Sequence, residues 1–426
     1  MQKILTSFCI IILFSSAVLS ETKSNNEEFT GPLLGNVTSN SVSIWLYTAQ
    51  KCKVSVFIWE KGEKSSFMKT KVLAGQSTTS NLHKGHYYIA TLENLKTYTD
   101  YQYQVEINGK TEENLKGQFR TAPIEGSTAK FRMATSSCVR ANPDKQKSWL
   151  FMVKQAPDFH IMLGDSQYAD STKPEKQWSA HLQIRKFTEV AKVYRNIPTY
   201  SIWDDHDFGP NDSDGTTAGK KDSLKTWKQM WVNPGYGTQK IPGAFYRFKY
   251  ADVEFFVVDG RYSRSPNKMP DNNRNKTMLG NSQFEWLING LKESTAKFKL
   301  IASGSTWSAK GKDCWSQFPN DRKRFLKAIN ENKISGVLYL SGDLHKSMIV
   351  EHDHKKMIYP IGYPFVELIS SGIGNSKDKK YSFMILDFDT TLEDPQVKVS
   401  IIAQDEKQNQ KVDQEKTFRL STLTHN

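Results

Sequence analysis

Beyond its first twenty residues the sequence contains no apolar run approaching the roughly 20 consecutive residues that a spanning helix needs, so nothing after that point reads as a membrane span. It has no internal repeat, no low-complexity tract and no dense basic run. A formal charge of +13 spread along 426 residues is therefore not a nucleic-acid-binding signature, and no nucleic-acid-binding module is expected. Such a field attracts phosphorylated or otherwise anionic substrates and surfaces, and it is equally the charge of an ordinary Lys-rich protein. Cysteine is scarce, with four in the chain, and a twin arginine is absent from the N-terminus, which favours general secretion over the folded-export route.

The N-terminus reads as a secretory signal peptide over residues 1–20: Lys3, an apolar core from Ile10 to Leu19, and permissive residues ahead of a cut before Glu21. An uncleaved anchor is the alternative, but the core is short for a span. A secreted, periplasmic or cell-surface location is the expectation. Cys9 would leave with the leader, and Cys52, Cys138 and Cys314 would remain. Three is an odd number for an oxidising compartment, so at least one is unpaired or has another use.

Residues 29–123 alternate in short β-type runs at 41–47, 53–59, 86–92 and 101–107, separated by Gly, Asn and Ser turns, which predicts a small β-sandwich. The segment from Leu95 to Tyr101 resembles the tyrosine corner of fibronectin type III domains, with Thr97 where proline is usual. After a short linker, Glu125 to Ala129, strands are predicted at 131–138, 159–164, 198–203, 244–258, 298–304 and 336–342. Helices are predicted near 145–155, 174–195, 219–231, 282–293 and 319–332, with Pro174 and Pro319 where a first turn tolerates proline. Alternating elements over 130–420 predict a layered α/β domain with its site at the carboxyl ends of the strands, followed by more sheet at 365–369, 381–386 and 397–401.

Three acidic motifs stand at the ends of apolar runs: Gly164-Asp165-Ser-Gln-Tyr168, Trp203-Asp204-Asp205-His206-Asp207 and Gly342-Asp343-Leu-His345. Carboxylates and imidazoles are costly to bury unless paired or bound to a cation, so three such clusters suggest one shared metal centre. Asp165 can bridge two cations, and a phenolate at Tyr168 suits a hard, highly charged ion; the alternative is a helix cap with Tyr168 in the core. The run from Asp204 to Asp207 repels itself unless a cation or His206 relieves it, or unless it is an exposed acidic turn. Asn211 offers a neutral oxygen suited to calcium. Asp343 and His345 share one side of an extended segment, as joint ligation requires, although a histidine satisfied in the core is the ordinary case. Upstream, Ser136-Ser-Cys138-Val-Arg140 ends a strand in a candidate thiolate ligand, or in a small buried hydrophobe. His352 and His354 lie in a highly polar stretch that reads as a solvated hairpin.

In order, Ser-Cys-x-Arg, Gly-Asp-x-x-Tyr, Trp-Asp-Asp-His-Asp-x-Gly-x-Asn, Asp259-Gly-Arg-Tyr262 and Ser-Gly-Asp-x-His resemble the PhoD-like alkaline phosphatases, a branch of the calcineurin-like metallophosphoesterases. The resemblance spans essentially the whole chain after the leader and implies an αββα metallophosphoesterase sandwich preceded by a fibronectin- or Ig-like β-sandwich. It implies ferric iron (Fe3+) held by Cys138, Asp165 and Tyr168 with Asp343 and His345 completing the shell, and calcium (Ca2+) facing Asp165 with Asn211 as a ligand. Asp205 and His206 belong to the metal site or its surroundings. His206, Asp205 and Arg140 are the catalytic candidates, and Arg140 and Arg261 are phosphate clamps on charge and position alone. The implied activity is hydrolysis of a phosphate mono- or diester, phospholipid and nucleotide-derived esters included, by a metal-bound hydroxide or oxide. A purple acid phosphatase, a phospholipase D-type phosphodiesterase and a non-catalytic binding protein led by the β-sandwich are the rivals. Purple acid phosphatases usually carry Gly-Asn-His and Gly-His-x-His, and neither occurs here.

Overall fold

The computed structural model describes residues 28–425 apart from 64–68, 74, 79, 312, 377–379 and 405–408, so the predicted leader and Cys9 lie outside the described residues. The alternating runs near the N-terminus become strands β1 (Phe29–Gly35), β2 (Val42–Thr48), β3 (Val54–Glu60), β4 (Lys69–Leu73), β5 (Gln76–Ser77), β6 (His86–Leu92), β7 (Asp100–Ile107) and β8 (Lys116–Arg120). They pair in two four-stranded sheets, β1-β2-β6-β5 and β4-β3-β7-β8. Along β7 every second residue, from Tyr101 to Ile107, is buried, as a strand with one solvated face requires.

The chain continues through β9 (Lys130–Ser136), α1 (Lys147–Gln155), β10 (Phe159–Leu163), α2 (Pro174–Arg185), α3 (Thr188–Tyr194), β11 (Thr199–Ile202), α4 (Asp205–Phe208) and α5 (Lys220–Met230). It then forms β12 (Tyr246–Tyr250), β13 (Val253–Val257), α6 (Asn281–Glu293), β14 (Phe298–Ser303), α7 (Pro319–Glu331), β15 (Val337–Ser341), β16 (Met348–His352), β17 (Phe365–Ile369), β18 (Ser382–Asp389), β19 (Gln396–Gln404) and β20 (Gln410–Arg419). Two six-stranded sheets result, ordered β11-β10-β9-β18-β19-β20 and β12-β13-β14-β15-β17-β16.

Residue alternation decides what each sheet faces. Phe159 on β10 meets Tyr250 and Phe255 of the other sheet, whereas its neighbour His160 meets Trp149 of α1. On β13, Phe255 faces Phe159 while Phe256 meets Trp286 of α6. The sheets therefore pack face to face with helices outside each. In the first sheet β9, β10 and β11 run parallel, and in the second β13, β14, β15 and β17 do, so their carboxyl ends gather at one rim.

The N-terminal sheets are bonded to this core through Trp45 Nε1 to Gln229 O (2.7 Å), Tyr103 Oη to Arg195 O (2.8 Å) and Tyr200 Oη to Val37 O (2.7 Å). The buried Arg185 guanidinium lies 4.4 Å from the Trp45 ring centroid and 4.7 Å from that of Trp231, so aromatic faces answer its charge. No helix among the described residues is long and apolar enough to cross a membrane. Cys52, Cys138 and Cys314 are all free thiols.

Candidate metal centre

Each motif leaves the carboxyl end of a parallel strand. Cys138 follows β9, Asp165 and Tyr168 follow β10, the 204–207 run follows β11, and Asp343 and His345 follow β15. The exits are tied by main-chain bonds, Val139 N to Asp165 O (2.8 Å) and Gly342 N to Gly304 O (3.0 Å) among them. Cys138, Asp165, Asp343 and His345 all adopt left-handed backbone conformations, with φ of 64°, 49°, 66° and 59°.

Two sets of ligand atoms result, each gathered within 4.8 Å: Cys138, Asp165 and His345 in one, Asp165, Asp205 and His206 in the other. Asp165 belongs to both. Its Oδ2 is 3.2 Å from Tyr168 Oη and 3.4 Å from Cys138 Sγ, and Tyr168 Oη is 3.3 Å from His345 Nε2. Its Oδ1 is buried with no hydrogen-bond partner, as are Asp204 Oδ2 and Asp205 Oδ1, the last of these 3.7 Å from Arg261 Nη2. Buried carboxylate oxygens left without donors are what a cation would satisfy, so the residues present fit bound metal.

The charges agree. Burial, then Asp205, Asp204, Asp207 and Asp343, push the Asp165 carboxyl well above its ordinary range. Burial and Asp165 do the same to the Cys138 thiol and the Tyr168 phenol. Burial first, and the negative charge gathered there second, favour the protonated forms, and a cation would displace those protons.

The four consecutive ionisable residues take separate tasks. Asp204 accepts from Arg261 Nε (2.7 Å), while Asp207 accepts from Ser166 Oγ (2.6 Å) and from the Asp204 amide (3.1 Å), fastening the Asp165 loop to α4. Asp205 accepts from the Asp212 amide (2.8 Å); burial opposes its charge, but Arg261 and His206 hold its carboxyl below the usual range. His206 Nδ1 lies 2.5 Å from Asp170 Oδ1, and its ring is 4.2 Å from that of Tyr168. A third acidic group, Asp204, Asp205 and Asp313, is answered by Arg261 and Arg264.

Arg261 is therefore not a phosphate clamp. Its guanidinium is fully buried and faces Asp204, Asp313 and Ser213 O, so it has no free edge for a ligand. Arg140, by contrast, is exposed, with its guanidinium 4.7 Å from the Tyr168 ring centroid. Asn211 is exposed on the turn after α4, next to Asp212, and Asp343 is half-buried. His352 ends β16 and lies 4.0 Å from the buried Glu367, with His354 in the turn that follows.

Sequence reasoning missed four site residues. Asn375 places Nδ2 3.0 Å from both Tyr168 Oη and His345 Nε2, and Ser371 donates to Cys138 Sγ (3.2 Å) and accepts from His345 N (2.8 Å). Both follow β17, and the signal was there: Gly372-Ile-Gly-Asn375 repeats the pattern of glycine and a polar residue after an apolar strand. Asp170 stands two residues past Tyr168, within reach of the same reading. Asp313 lies in a loop that carries no such mark.

The sequence profile of the PhoD-like phosphatase family matches residues 133–422, and a profile described as a domain of unknown function (DUF7800) matches residues 26–122. The chain is similar to alkaline phosphatase D of Bacillus subtilis (strain 168), with 24% identity over 319 residues, 62% of this chain and 55% of that protein. It thus spans about half the length of that curated relative. Among solved structures it is similar to PhoD (TM-score 0.76, 17% identity, 92% of this chain and 90% of that one). It is also similar to the purple acid phosphatase PPD1 from yellow lupin (Lupinus luteus) seeds (TM-score 0.67, 11% identity, 92% of this chain and 74% of that one). At these identities the two structures speak to fold alone.

Proposed function

The chain belongs to the PhoD-like phosphatase family, and from that premise we propose that it is a metal-dependent phosphoric ester hydrolase of the alkaline phosphatase D type, exported after removal of residues 1–20. The observation that carries this reading is the membership of Asp165 in both ligand sets, which lets one carboxylate join two cations. Ferric iron is assigned to Cys138, Asp165, Tyr168 and His345, since a thiolate is a ligand for iron and not for calcium, and a phenolate suits a hard trivalent ion. Calcium is assigned to Asp165 and Asp205 with Asn211 as a further oxygen donor, while Asp343 completes the iron shell and His206 stands beside the calcium.

When bound, the ions supply the positive charge that phosphoryl transfer requires and a water acidic enough to attack phosphorus. The protein's own residues prepare the place. Asp165, 1% exposed, and Cys138, fully buried, keep bulk water from the inner face, while Tyr168 leaves its outer face to Arg140. Arg140 is exposed beside the site and is placed to take a phosphate oxygen by a charge-assisted hydrogen bond. Purple acid phosphatase chemistry is not favoured, because that family's usual histidine motifs are missing from these strand ends.

We also read residues 29–123 as a fibronectin type III-like domain before a phosphatase domain at 130–420. The bond from Lys96 N to Tyr101 Oη (2.9 Å) supports it, since a tyrosine returning to backbone a few residues upstream is the corner's defining contact.

The test is Asp165→Asn. It should lose both ions and hydrolysis of a chromogenic aryl phosphate while its circular dichroism stays that of the wild type. Retained turnover would overturn the assignment. Wild-type rates on aryl monoesters against diesters then identify the ester class.

A further inference from the structure

The segment that leaves β17 brings one hydrogen-bond donor to the phenol and one to the thiol of the iron-side ligand group. Asn375 Nδ2 donates to Tyr168 Oη (3.0 Å) and faces His345 Nε2 (3.0 Å), and Ser371 Oγ donates to Cys138 Sγ (3.2 Å). The main chain of this segment is fastened to the exit of β9: Gly372 N and Ile373 N both reach Ser137 O (3.2 and 3.3 Å), and Gly374 N reaches Cys138 O (3.2 Å). The exit of β15 holds it as well, since His345 N donates to Ser371 Oγ (2.8 Å). Gly372, with φ of 93°, makes the turn, and a β-carbon there would lie 3.0 Å from His345 O. Both donors are thus placed by backbone that no ion has to assemble.

We propose that Asn375 is the positioning residue of the Tyr168 phenolate, and Ser371 that of the Cys138 thiolate. This rests on the metal-centre reading above. A side-chain amide nitrogen carries two hydrogens, and an ion that takes the His345 Nε2 lone pair leaves both to Tyr168 Oη, whose oxygen can still accept while it ligates. The other neighbours of that oxygen, Asp165 Oδ2 (3.2 Å) and His345 Nε2 (3.3 Å), are themselves ligand candidates, so Asn375 supplies the hydrogen bond that survives metal binding. At Cys138 the same task falls to Ser371, with Ser137 Oγ farther off at 3.5 Å. A hydrogen bond to an anionic ligand draws electron density away from it, so the ligand gives less to the ion. The ion is then the stronger Lewis acid, and more energy is needed to move an electron from ligand to metal.

The two ligands have separate charge-transfer bands, so each donor can be read by itself. Iron-loaded protein is measured by absorption and resonance Raman spectroscopy, for the wild type, Asn375→Leu, Asn375→Gln, Ser371→Ala and Tyr168→Phe. Asn375→Leu keeps the bulk and loses the donor. It is expected to move the phenolate-to-iron band to longer wavelength and to weaken iron binding by about 10–100-fold, with the thiolate-to-iron band in place. Asn375→Gln retains the amide and should return part of the shift. Ser371→Ala should do the reverse of Asn375→Leu, moving the thiolate band and leaving the phenolate band. A phenolate band at the wild-type wavelength in Asn375→Leu, or one shift common to both bands in either variant, would overturn the proposal. A wild-type protein with no phenolate band, or a band that survives Tyr168→Phe, overturns the metal-centre reading itself and the proposal with it.

Discussion

Cys138, Asp165, Asp343 and His345 hold their functional groups at a backbone cost. A left-handed residue bearing a β-carbon is disfavoured by about 1–2 kcal/mol, and four of them converge on one site. Glycine would fit each turn without strain, so the side chains kept at these four positions carry a cost that glycine would not. Asp343 allows a direct measurement. Alanine there keeps the strain and removes the carboxylate, whereas glycine removes both, so Asp343→Gly should be more stable than Asp343→Ala by about 1 kcal/mol while both lose hydrolysis. Denaturant unfolding of the two metal-free variants, run beside turnover, checks it; equal stability would show that the strain is not stored at this residue. At this scale the ligand candidates are legible in the sequence because each acidic or thiol residue follows an apolar run. Asp170, Asn375 and Ser371 are less so, since serine, asparagine and aspartate are also ordinary loop residues and only the fold brings 168, 345 and 375 together. Arg261 misleads for a related reason: an arginine after a strand looks available to a ligand until Asp313, 52 residues on, is seen to claim it.

The elements meet because glycines stand at the strand ends. A β-carbon on Gly342 would lie 2.3 Å from Leu163 O, at the end of β10 in the opposite sheet, and one on Gly304 would lie 2.5 Å from the Asp204 carboxyl carbon. The two sheets thus come to backbone distance where Gly342 passes Leu163, directly before Asp343 and His345, and Gly304 leaves the room that the Asp204 side chain occupies. Gly342→Ala should push the Asp343–His345 turn away from Asp165, at a cost of about 1–3 kcal/mol for the overpacking. Activity is expected to fall at least tenfold with far-ultraviolet circular dichroism unchanged, and a variant with wild-type turnover would show that this closure does not set the site. Strands β10, β11, β14, β15 and β17 fall within a residue or so of their predicted ends, since short apolar runs bounded by glycine or polar turns mark them. The predicted helix at 174–195 divides at Phe187, whose extended backbone (ψ 128°) starts α3, and the predicted strand at 244–258 folds back at Ala251 as the β12–β13 hairpin. Neither break carries glycine or proline, so neither is marked in the sequence. The polar strand β20 escapes for the opposite reason, being an exposed edge with almost no apolar face.

Across the whole molecule, the buried acid of the site works against the fold that contains it until a cation arrives. Burial pushes the Asp207 carboxyl up to about 6, and burial with neighbouring carboxylates pushes Asp165 and Asp204 well above the ordinary range. A carboxyl whose folded pKa is raised binds more protons in the native than in the unfolded chain. Stability therefore falls as pH climbs from the unfolded value, about 4, through the folded one. Asp205 runs the other way, held down by Arg261 and His206 despite its burial, but it is outnumbered. Metal-free protein should accordingly lose melting temperature between about pH 4 and beyond about pH 6, with Asp207 contributing the lower part of that window. Bound cations reverse the sign, because they bind the ionised carboxylates and the folded state alone assembles them. The rise in melting temperature on adding iron and calcium to chelator-treated protein should then grow steadily from about pH 5 to about pH 8, as scanning calorimetry at fixed ionic strength would record. The N-terminal sheets should unfold in the same transition, since Arg185 between Trp45 and Trp231 and the bonds from Trp45, Tyr103 and Tyr200 tie them to the elements that carry the site. A metal increment independent of pH would mean that the carboxylates are already ionised in the empty fold, leaving the cations no electrostatic debt to relieve.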